Sequence, residues 1–171
     1  MGLKGVVMEL LRHGDSEALE RLVAANPHAV RPLLGRLWDV DSEVRLRAAR
    51  ALGAAAANHP DLGREVLRRL LWDLNDESAT NGEYALPAIG EIGRRSPQLA
   101  APFIAPMVSY LWDDGLRLGI LRALCRIAET APETVATVRE NLLTIHNTED
   151  PEERACLAQL LGFERGEMDA S

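Results

Sequence analysis

Residues 37–53 read LWDVDSEVRLRAARALG and decide the fold. The tripeptide Leu37-Trp38-Asp39 that opens this stretch recurs as Leu71-Trp72-Asp73 and Leu111-Trp112-Asp113. Each copy closes one predicted helix and precedes a second helix that ends near a proline. Those prolines stand 33, 37 and 35 residues apart: Pro27, Pro60, Pro97 and Pro132. A period of this length indicates a stack of two-helix repeats rather than one folded globule.

The second helix of this stretch shows its register clearly. Apolar residues recur at helical spacing as one stripe: Val44, Ala48, Ala51, Leu52 and Ala55. The opposite, solvated face carries Glu43, Arg47, Arg50 and Ala54. The later repeats keep the same small residues as Ala88-Ile89-Gly90 and Ala123-Leu124-Cys125. Because these side chains are short, neighbouring second helices are expected to approach closely.

Helix start signals are consistent along the chain. Asn26-Pro27 and Ser96-Pro97 each place a capping residue before a proline, whose missing N–H is not needed at the first helical position. Asp150-Pro151 does the same and is followed by two glutamates that suit the positive end of the helix dipole. The patterns predict ten helices, at about 3–13, 15–25, 27–39, 41–58, 60–74, 80–95, 97–112, 114–130, 132–146 and 150–163. They belong to one domain, residues 1–163, followed by a frayed polar tail at 164–171.

Composition sets limits on function. The 171 residues are 47% hydrophobic and only 4% aromatic, which favours helices packed through aliphatic side chains. A formal net charge of −7 makes nucleic acid an unlikely partner, because the surface as a whole repels phosphates. No apolar stretch is long enough to span a membrane, and a signal peptide is not expected. Two cysteines make no disulfide framework, so the expected location is the cytoplasm.

The stretch from Asp41 resembles the second helix of HEAT repeats, particularly the short variety of the phycobilisome lyases. That pattern is an acid, then Val-Arg, then Ala-Ala-x-Ala-Leu-Gly, and Val44-Arg45 with residues 48–53 follow it. Pro32, inside a first helix, is another feature of that family. The resemblance extends over about residues 27–163. It implies an all-α fold, a right-handed αα-superhelix (solenoid) of about five helix pairs.

In that family the second helices line a concave groove, so the resemblance implies a binding face. Carried by register along the chain, this face includes Arg47, Arg50, Tyr84, Glu91, Arg122 and Arg126, and the irregular middle repeat adds Asn81 and Glu83 to it. Two guanidinium pairs on either side of an aromatic and a carboxylate suit an acidic peptide or another small polyanion. The alternative is that these arginines only keep a solvated face soluble.

The middle repeat departs from the pattern. The distance from Trp72 to Pro97 is 25 residues, against 22 and 20 in the neighbouring repeats. The excess lies in an irregular acidic turn that starts with Asn75, Asp76, Glu77 and Ser78. Thr80 and Glu83 have capping-box spacing, so the helix is expected to restart there. Pro87 then falls inside the helix, where a kink is expected. We expect this segment to be the functional centre, with a tolerated insertion as the alternative.

Catalytic and metal-binding constellations are poorly represented. Four scattered histidines lack a ligand partner at useful spacing, and the His-Glu dipeptide of HEAT-type di-iron hydroxylases does not occur. The acidic turn lacks the ligand spacing of a calcium loop, so neither a metal nor a cofactor is expected. Cys125 stands where the repeat has glycine and is expected to be a small buried hydrophobe, whereas Cys156 is expected nearer the groove.

The three tryptophans recur at equivalent places, which favours a packing role in the turn between paired helices. The alternative is a nucleic-acid groove like that of the HEAT-like alkylpurine glycosylases, which the acidic charge disfavours.

The sequence therefore predicts a non-catalytic scaffold that binds a protein or peptide in its groove. The alternative is a lyase-like enzyme or ligand carrier with a pocket at the middle repeat. The first helix carries Leu3, Val6, Val7, Leu10 and Leu11. That is more apolar surface than an exposed end should show, so self-association through the terminal repeats is a further possibility.

Overall fold

The computed structural model describes residues 1–75 and 80–162, with the side chains of Thr80 and Asn81 left out. In these ranges the chain forms eleven α-helices and no β-strand. The helices are α1 Leu3–His13, α2 Ser16–Ala25, α3 Val30–Leu34, α4 Ser42–Asn58, α5 Pro60–Leu74, α6 Thr80–Arg95, α7 Pro97–Val108, α8 Asp114–Ala128, α9 Pro132–Ala136, α10 Arg139–Leu143 and α11 Pro151–Leu161. A 3-10 turn at Pro27–Ala29 leads into α3.

Two predicted helices are shorter or divided. The predicted helix 27–39 contains only the 3-10 turn and α3, because Pro32 removes a helical hydrogen bond and Gly35 disfavours continuation. The predicted helix 132–146 divides into α9 and α10 at Thr137 and Val138. β-Branched side chains lose rotamer freedom in a helix, and they cluster at this division. The tail predicted at 164–171 lies outside the described residues.

Aspartates begin several helices by accepting hydrogen bonds from the first turn. Asp41 accepts from the N–H of Glu43, Asp113 from that of Gly115, and Asp150 from those of Glu152 and Glu153. In the third repeat the cap is the aspartate of the Leu-Trp-Asp tripeptide itself. Prolines occupy the first helical position of α5, α7, α9 and α11, as the capping patterns predict.

Helices from successive repeats pack in chain order. One row runs from α2 to α4, α6, α8 and α11, and α5, α7 and α9 contact one another beside it. The alanine stripe of α4 is buried, as predicted. Gly53 permits α4 to approach the backbone of α6 closely, because a Cβ built there would lie 2.9 Å from the carbonyl oxygen of Glu91. The apolar side chains between the rows form one continuous core.

The tryptophans do not share one environment. Trp38 is half-buried against the core, but Trp72 and Trp112 are each 74% exposed. The predicted packing role is therefore wrong for two of the three. Trp72 lies in the last turn of α5, and Trp112 immediately precedes the Asp113 cap of α8. Both indoles lie at the edge where first helices end and second helices begin.

The first helix is covered to a large degree by the chain itself. Val7 and Leu11 are fully buried, and Leu3, Val6 and Leu10 are half-buried. Within the described residues, no helix combines the length and apolar character needed to cross a membrane.

Candidate binding face on α4, α6 and α8

Equivalent positions of α4, α6 and α8 have equivalent exposure. Arg50, Pro87 and Arg122 are exposed at the outermost position of each helix. The next position, occupied by Arg47, Tyr84 and Gly119, is half-buried throughout. We call the surface formed by these six residues the candidate face. The exposure of these two positions agrees with the register carried from Arg47 and Arg50, whereas Ala54 and Glu91, at the next position of that register, are buried.

The two outer arginines differ in their partners. Among the described residues, Arg50 has no ion pair or hydrogen bond, and its guanidinium is available to a ligand. Arg122 forms an ion pair with Glu152 of α11, but both side chains remain more than half exposed, at 60% and 64%. An exposed pair of this kind is weak, so a carboxylate ligand can compete with Glu152 for the guanidinium.

Arg47 has a structural role, because its guanidinium binds the end of α1. Its Nη1 donates to the carbonyl oxygen of Leu11 at 2.8 Å and to that of Arg12 at 3.3 Å. These carbonyls belong to the last turn of α1, where helical partners are missing and the dipole favours a cation. Gly14 ends α1 in the left-handed conformation, and a Cβ built there would lie 3.1 Å from the Arg47 guanidinium carbon. Arg47 therefore docks α1 onto α4 instead of projecting freely.

Glu91 and Arg126 are joined in an ion-pair network. Arg126 Nε donates to Glu91 Oε1 at 2.7 Å, and its Nη1 donates to both carboxylate oxygens of Glu129. Arg94 adds a weaker contact of 3.3 Å to the same Glu91 carboxylate, which is only 7% exposed. The hydrogen bonds to Glu129 and then to Glu91 raise the pKa of Arg126. The network ties α6 to α8, and neither Glu91 nor Arg126 is a free recognition group.

Tyr84 has a partner that sequence reasoning missed. The Arg45 guanidinium carbon lies 5.0 Å from the centre of the Tyr84 ring, within the range of a cation–π contact. Arg45 Nη1 also donates to the carbonyl oxygen of Asp39 at 2.7 Å, which fixes the guanidinium. Its position in the Val-Arg pair of the repeat pattern was the available signal. Tyr84 is half-buried in consequence, and not the freely exposed aromatic that was expected.

The irregular turn lies largely outside the described residues. Asp76, Glu77 and Ser78 belong to that part, as does the Asn81 side chain, so their predicted role stays a prediction. Asn75 is exposed at the end of α5, and Glu83 is exposed in the first turn of α6. Pro87 is exposed inside α6, which continues as one helix past it. The alternative of a pocket at this repeat also stays a prediction.

Two histidines near helix ends contact backbone carbonyl oxygens. His59 Nε2 lies 3.0 Å from the carbonyl oxygen of Val23, and His146 Nδ1 lies 2.6 Å from that of Leu143. Over the ranges 1–75 and 80–162, no group of three or more histidine, cysteine or acidic side chains could hold a metal ion. Cys125 and Cys156 are both half-buried and lie next to each other on α8 and α11. The sequence did not predict that they meet.

Comparison with known proteins assigns no chemical activity to the candidate face. No family profile matches the sequence. An uncharacterized protein of Archaeoglobus fulgidus is 32% identical over 118 residues, a match that covers 64% of this chain and 62% of the relative. The chain therefore spans less than two thirds of that relative's length.

Two solved structures share the fold. Both are crystal structures of engineered proteins from a structural genomics consortium. The first has a TM-score of 0.55 at 22% sequence identity, over 95% of this chain and 79% of the other. The second has a TM-score of 0.51 at 20% identity, over 95% of this chain and 47% of the other. At these identities the likeness concerns the all-helical fold alone.

Proposed function

We propose that this chain is a right-handed αα-superhelix of the HEAT type that binds an acidic segment of a partner protein on its candidate face, without chemistry of its own. The order of helix packing and the 33 to 37-residue proline period support the superhelix. In this arrangement the candidate face is the concave groove. Arg50 carries the proposal: it is an exposed guanidinium with no partner among the described residues.

The charge distribution favours a carboxylate-bearing ligand. Arg50 and Arg122 occupy equivalent positions on α4 and α8, on either side of the exposed Pro87 of α6. Each guanidinium can donate two parallel hydrogen bonds to one carboxylate, which gives directional recognition. An acidic segment of extended chain could therefore reach both arginines across α6. Tyr84 and the guanidinium stacked on it offer a flat contact between them.

The exposed indoles extend this surface. Trp112 and Trp72 lie at the edge from which α8 and α6 begin, so a partner that enters the groove from this side passes both indoles. Tryptophan and arginine are the residues most enriched among energetically dominant interface contacts. Two indoles left in water at equivalent places of adjacent repeats support a protein partner rather than a small ion.

The test uses peptides selected from a random display library on the immobilised wild-type protein. We expect the enriched peptides to be rich in Asp and Glu and to contain aromatic or aliphatic residues. The double variant Arg50→Glu/Arg122→Glu should bind them at least about 10-fold more weakly. Arg68→Glu is the matched control, because Arg68 is 58% exposed and ion-paired like Arg122 but lies on α5, outside the candidate face.

Two outcomes would contradict the proposal. One is equal binding of the enriched peptides to the double variant and to Arg68→Glu. The other is enrichment of basic peptides, which would assign recognition to the acidic surface instead. Far-UV circular dichroism of both variants checks that the helices are retained, so that a loss of binding reports on the charges.

A further inference from the structure

Two thiols meet between the third and the last of the packed second helices. Cys125 lies on α8 and Cys156 lies on α11, and these two helices are in direct contact. Cys125 Sγ lies 3.8 Å from the backbone carbonyl oxygen of Cys156, within reach of a sulfur hydrogen bond. Both cysteines are free and half-buried. We infer that Cys125 and Cys156 are a redox pair, oxidised by hydroperoxides to a disulfide that joins α8 to α11.

The geometry suits a disulfide because the two residues project from adjacent, packed helices. The Cys125 sulfur lies 3.8 Å from the Cys156 carbonyl oxygen, so it is already next to the residue that carries the second sulfur. Disulfides form where the two Cβ atoms are close and point toward each other. Each thiol also affects the pKa of the other, which is raised for Cys125 and lowered for Cys156.

The surroundings make the two thiols unequal. The hydrogen bond from Cys125 lowers the pKa of Cys156 to about 7, against the opposing effect of burial. The positive charge of Arg122 lowers this pKa further, and the negative charges of Glu152 and Glu153 raise it. The same hydrogen bond and burial raise the pKa of Cys125. Near neutral pH a large fraction of Cys156 is therefore thiolate, the nucleophilic form, while Cys125 stays a thiol.

The reaction balances with a hydroperoxide as the oxidant. The Cys156 thiolate attacks the terminal peroxide oxygen, the O–O bond breaks, and the sulfur becomes a sulfenic acid while an alkoxide or hydroxide leaves and takes a proton from water. Cys125 Sγ then attacks the Cys156 sulfur, the S–S bond forms, and the sulfenic hydroxyl leaves with the Cys125 proton as water. The peroxide gains the two electrons that the two thiols lose.

Oxidation of Cys156 favours the second step, the attack of Cys125 on the oxidised sulfur. The raised pKa of Cys125 has its largest cause in the hydrogen bond to the anionic Cys156 sulfur. Once Cys156 is oxidised that anion is gone, so Cys125 loses its proton more easily. The packing then holds Cys125 at the sulfenic sulfur, and a resolving thiol held this close competes with further oxidation by peroxide.

The consequence for the fold is a covalent link at its last helix. Cys125 and Cys156 are 31 residues apart, so the disulfide closes a loop that contains α9 and α10. Closing such a loop restricts the unfolded chain and stabilises the folded one. We expect the oxidised protein to melt at a temperature about 5–10 °C higher than the reduced protein.

The test treats the reduced full-length chain with hydrogen peroxide and follows intact mass and free thiols. We expect wild-type protein to lose both thiols together with the mass of two hydrogen atoms, and a thiol reductant to restore both thiols and the lower melting temperature. Cys125→Ser should instead accumulate a sulfenic acid on Cys156 that dimedone traps. Cys156→Ser should react much more slowly, and neither variant should gain melting temperature on oxidation.

Arg122→Gln separates thiol activation from simple proximity. Its first oxidation step should be slower than in wild type near neutral pH and equal to it in alkali, where Cys156 is ionised regardless. Three results would overturn the inference. The first is oxidation of each cysteine separately to oxygen adducts, and the second is disulfide-linked dimers in place of the internal disulfide. The third is a wild-type protein that keeps both thiols at a peroxide concentration that oxidises the Cys125→Ser variant.

Discussion

Arg45 and Arg117 occupy the same position in two different repeats, and each binds the backbone carbonyl oxygen six residues before it. Arg45 Nη1 donates to Asp39 at 2.7 Å, and Arg117 Nε donates to Leu111 at 2.7 Å. Each guanidinium also reaches the next carbonyl in the chain, that of Val40 or Trp112. The arginine at this position thus connects the turn between paired helices to the helix that follows, by hydrogen bonds to the carbonyl oxygens of the turn.

The first prediction is that this contact stabilises the repeat. Arg117→Ala should lower the free energy of unfolding by about 1–3 kcal/mol, because the Leu111 carbonyl oxygen loses its side-chain donor and the buried Glu153 carboxylate keeps only the hydrogen bond from Thr148. Arg117→Lys should recover only part of this, since one ammonium cannot reproduce several directed N–H groups. Urea unfolding measures the change. Arg21→Ala, which removes an exposed ion pair on α2, should change stability by less than about 0.5 kcal/mol.

The middle repeat lacks this arginine, which gives a physical reason for its irregular sequence. The position equivalent to Arg45 and Arg117 is Gly82. A Cβ built there would lie 2.8 Å from a methyl carbon of Leu116 and 3.3 Å from the Cα of Leu74, so a longer side chain does not fit without movement. Gly82 therefore cannot make the contact that Arg45 and Arg117 make with the preceding turn in their repeats. Surface turns tolerate extra residues more readily than helices do.

The second prediction concerns the network of Glu91 and Arg126. Glu91→Gln keeps the shape of the side chain but removes the charge that Arg126 and Arg94 share. We expect a loss of about 1–3 kcal/mol in the free energy of unfolding, reduced from the value for a fully buried pair because Arg126 is about one-third exposed. A double-mutant cycle with Arg126→Gln should give a coupling free energy above about 0.5 kcal/mol. Additive effects would assign Glu91 to local packing only.

The third prediction concerns self-association. Leu3, Val6 and Leu10 remain half-buried on α1 after Val7 and Leu11 have packed inside the chain. If the terminal repeat mediates a homo-oligomer, these three side chains are its apolar contact. Sedimentation should then show a concentration-dependent mass that Leu3→Glu/Leu10→Glu returns to that of the monomer. A monomer at every concentration would contradict self-association through this helix.

Sequence periodicity located most helices, because prolines and aspartates mark helix starts by local chemistry. Asp113 and Pro97 perform in the structure what their positions predict. The candidate face was also predictable as a register. The partners across it were not: the Arg45 contact with Tyr84 joins residues of different repeats, and so does the Cys125 contact with Cys156. The exposure of Trp72 was missed because repetition was taken as evidence of packing, although a repeated residue can equally recur on the surface.

The fourth prediction separates recognition from stability at Tyr84. The ring is half-buried beneath the Arg45 guanidinium, so Tyr84→Ala should lower the free energy of unfolding by about 1 kcal/mol and leave the helices intact. Binding of the selected acidic peptides should weaken by about 1–2 kcal/mol or more, measured by fluorescence anisotropy. Tyr84→Phe keeps the ring and should bind within about 2-fold of wild type if stacking is the contact. A Tyr84→Ala protein that unfolds would make the residue structural.

The last prediction tests whether Pro87 is retained for function. This proline lies inside α6, where it has no N–H to donate and its ring crowds the carbonyl oxygen of Glu83, four residues earlier. Its side chain is exposed, so Pro87→Ala removes no core contact. The free energy of unfolding should rise by about 1–3 kcal/mol, because alanine restores the hydrogen bond and is the best helix former. If the proline shapes the groove, peptide affinity should fall in the same variant. Ala57→Gly, at an exposed position of α4, makes an opposite change in helix propensity and should lower stability. A Pro87→Ala protein less stable than wild type would show that α6 and its neighbours are packed around the proline, and the functional centre would have to lie elsewhere.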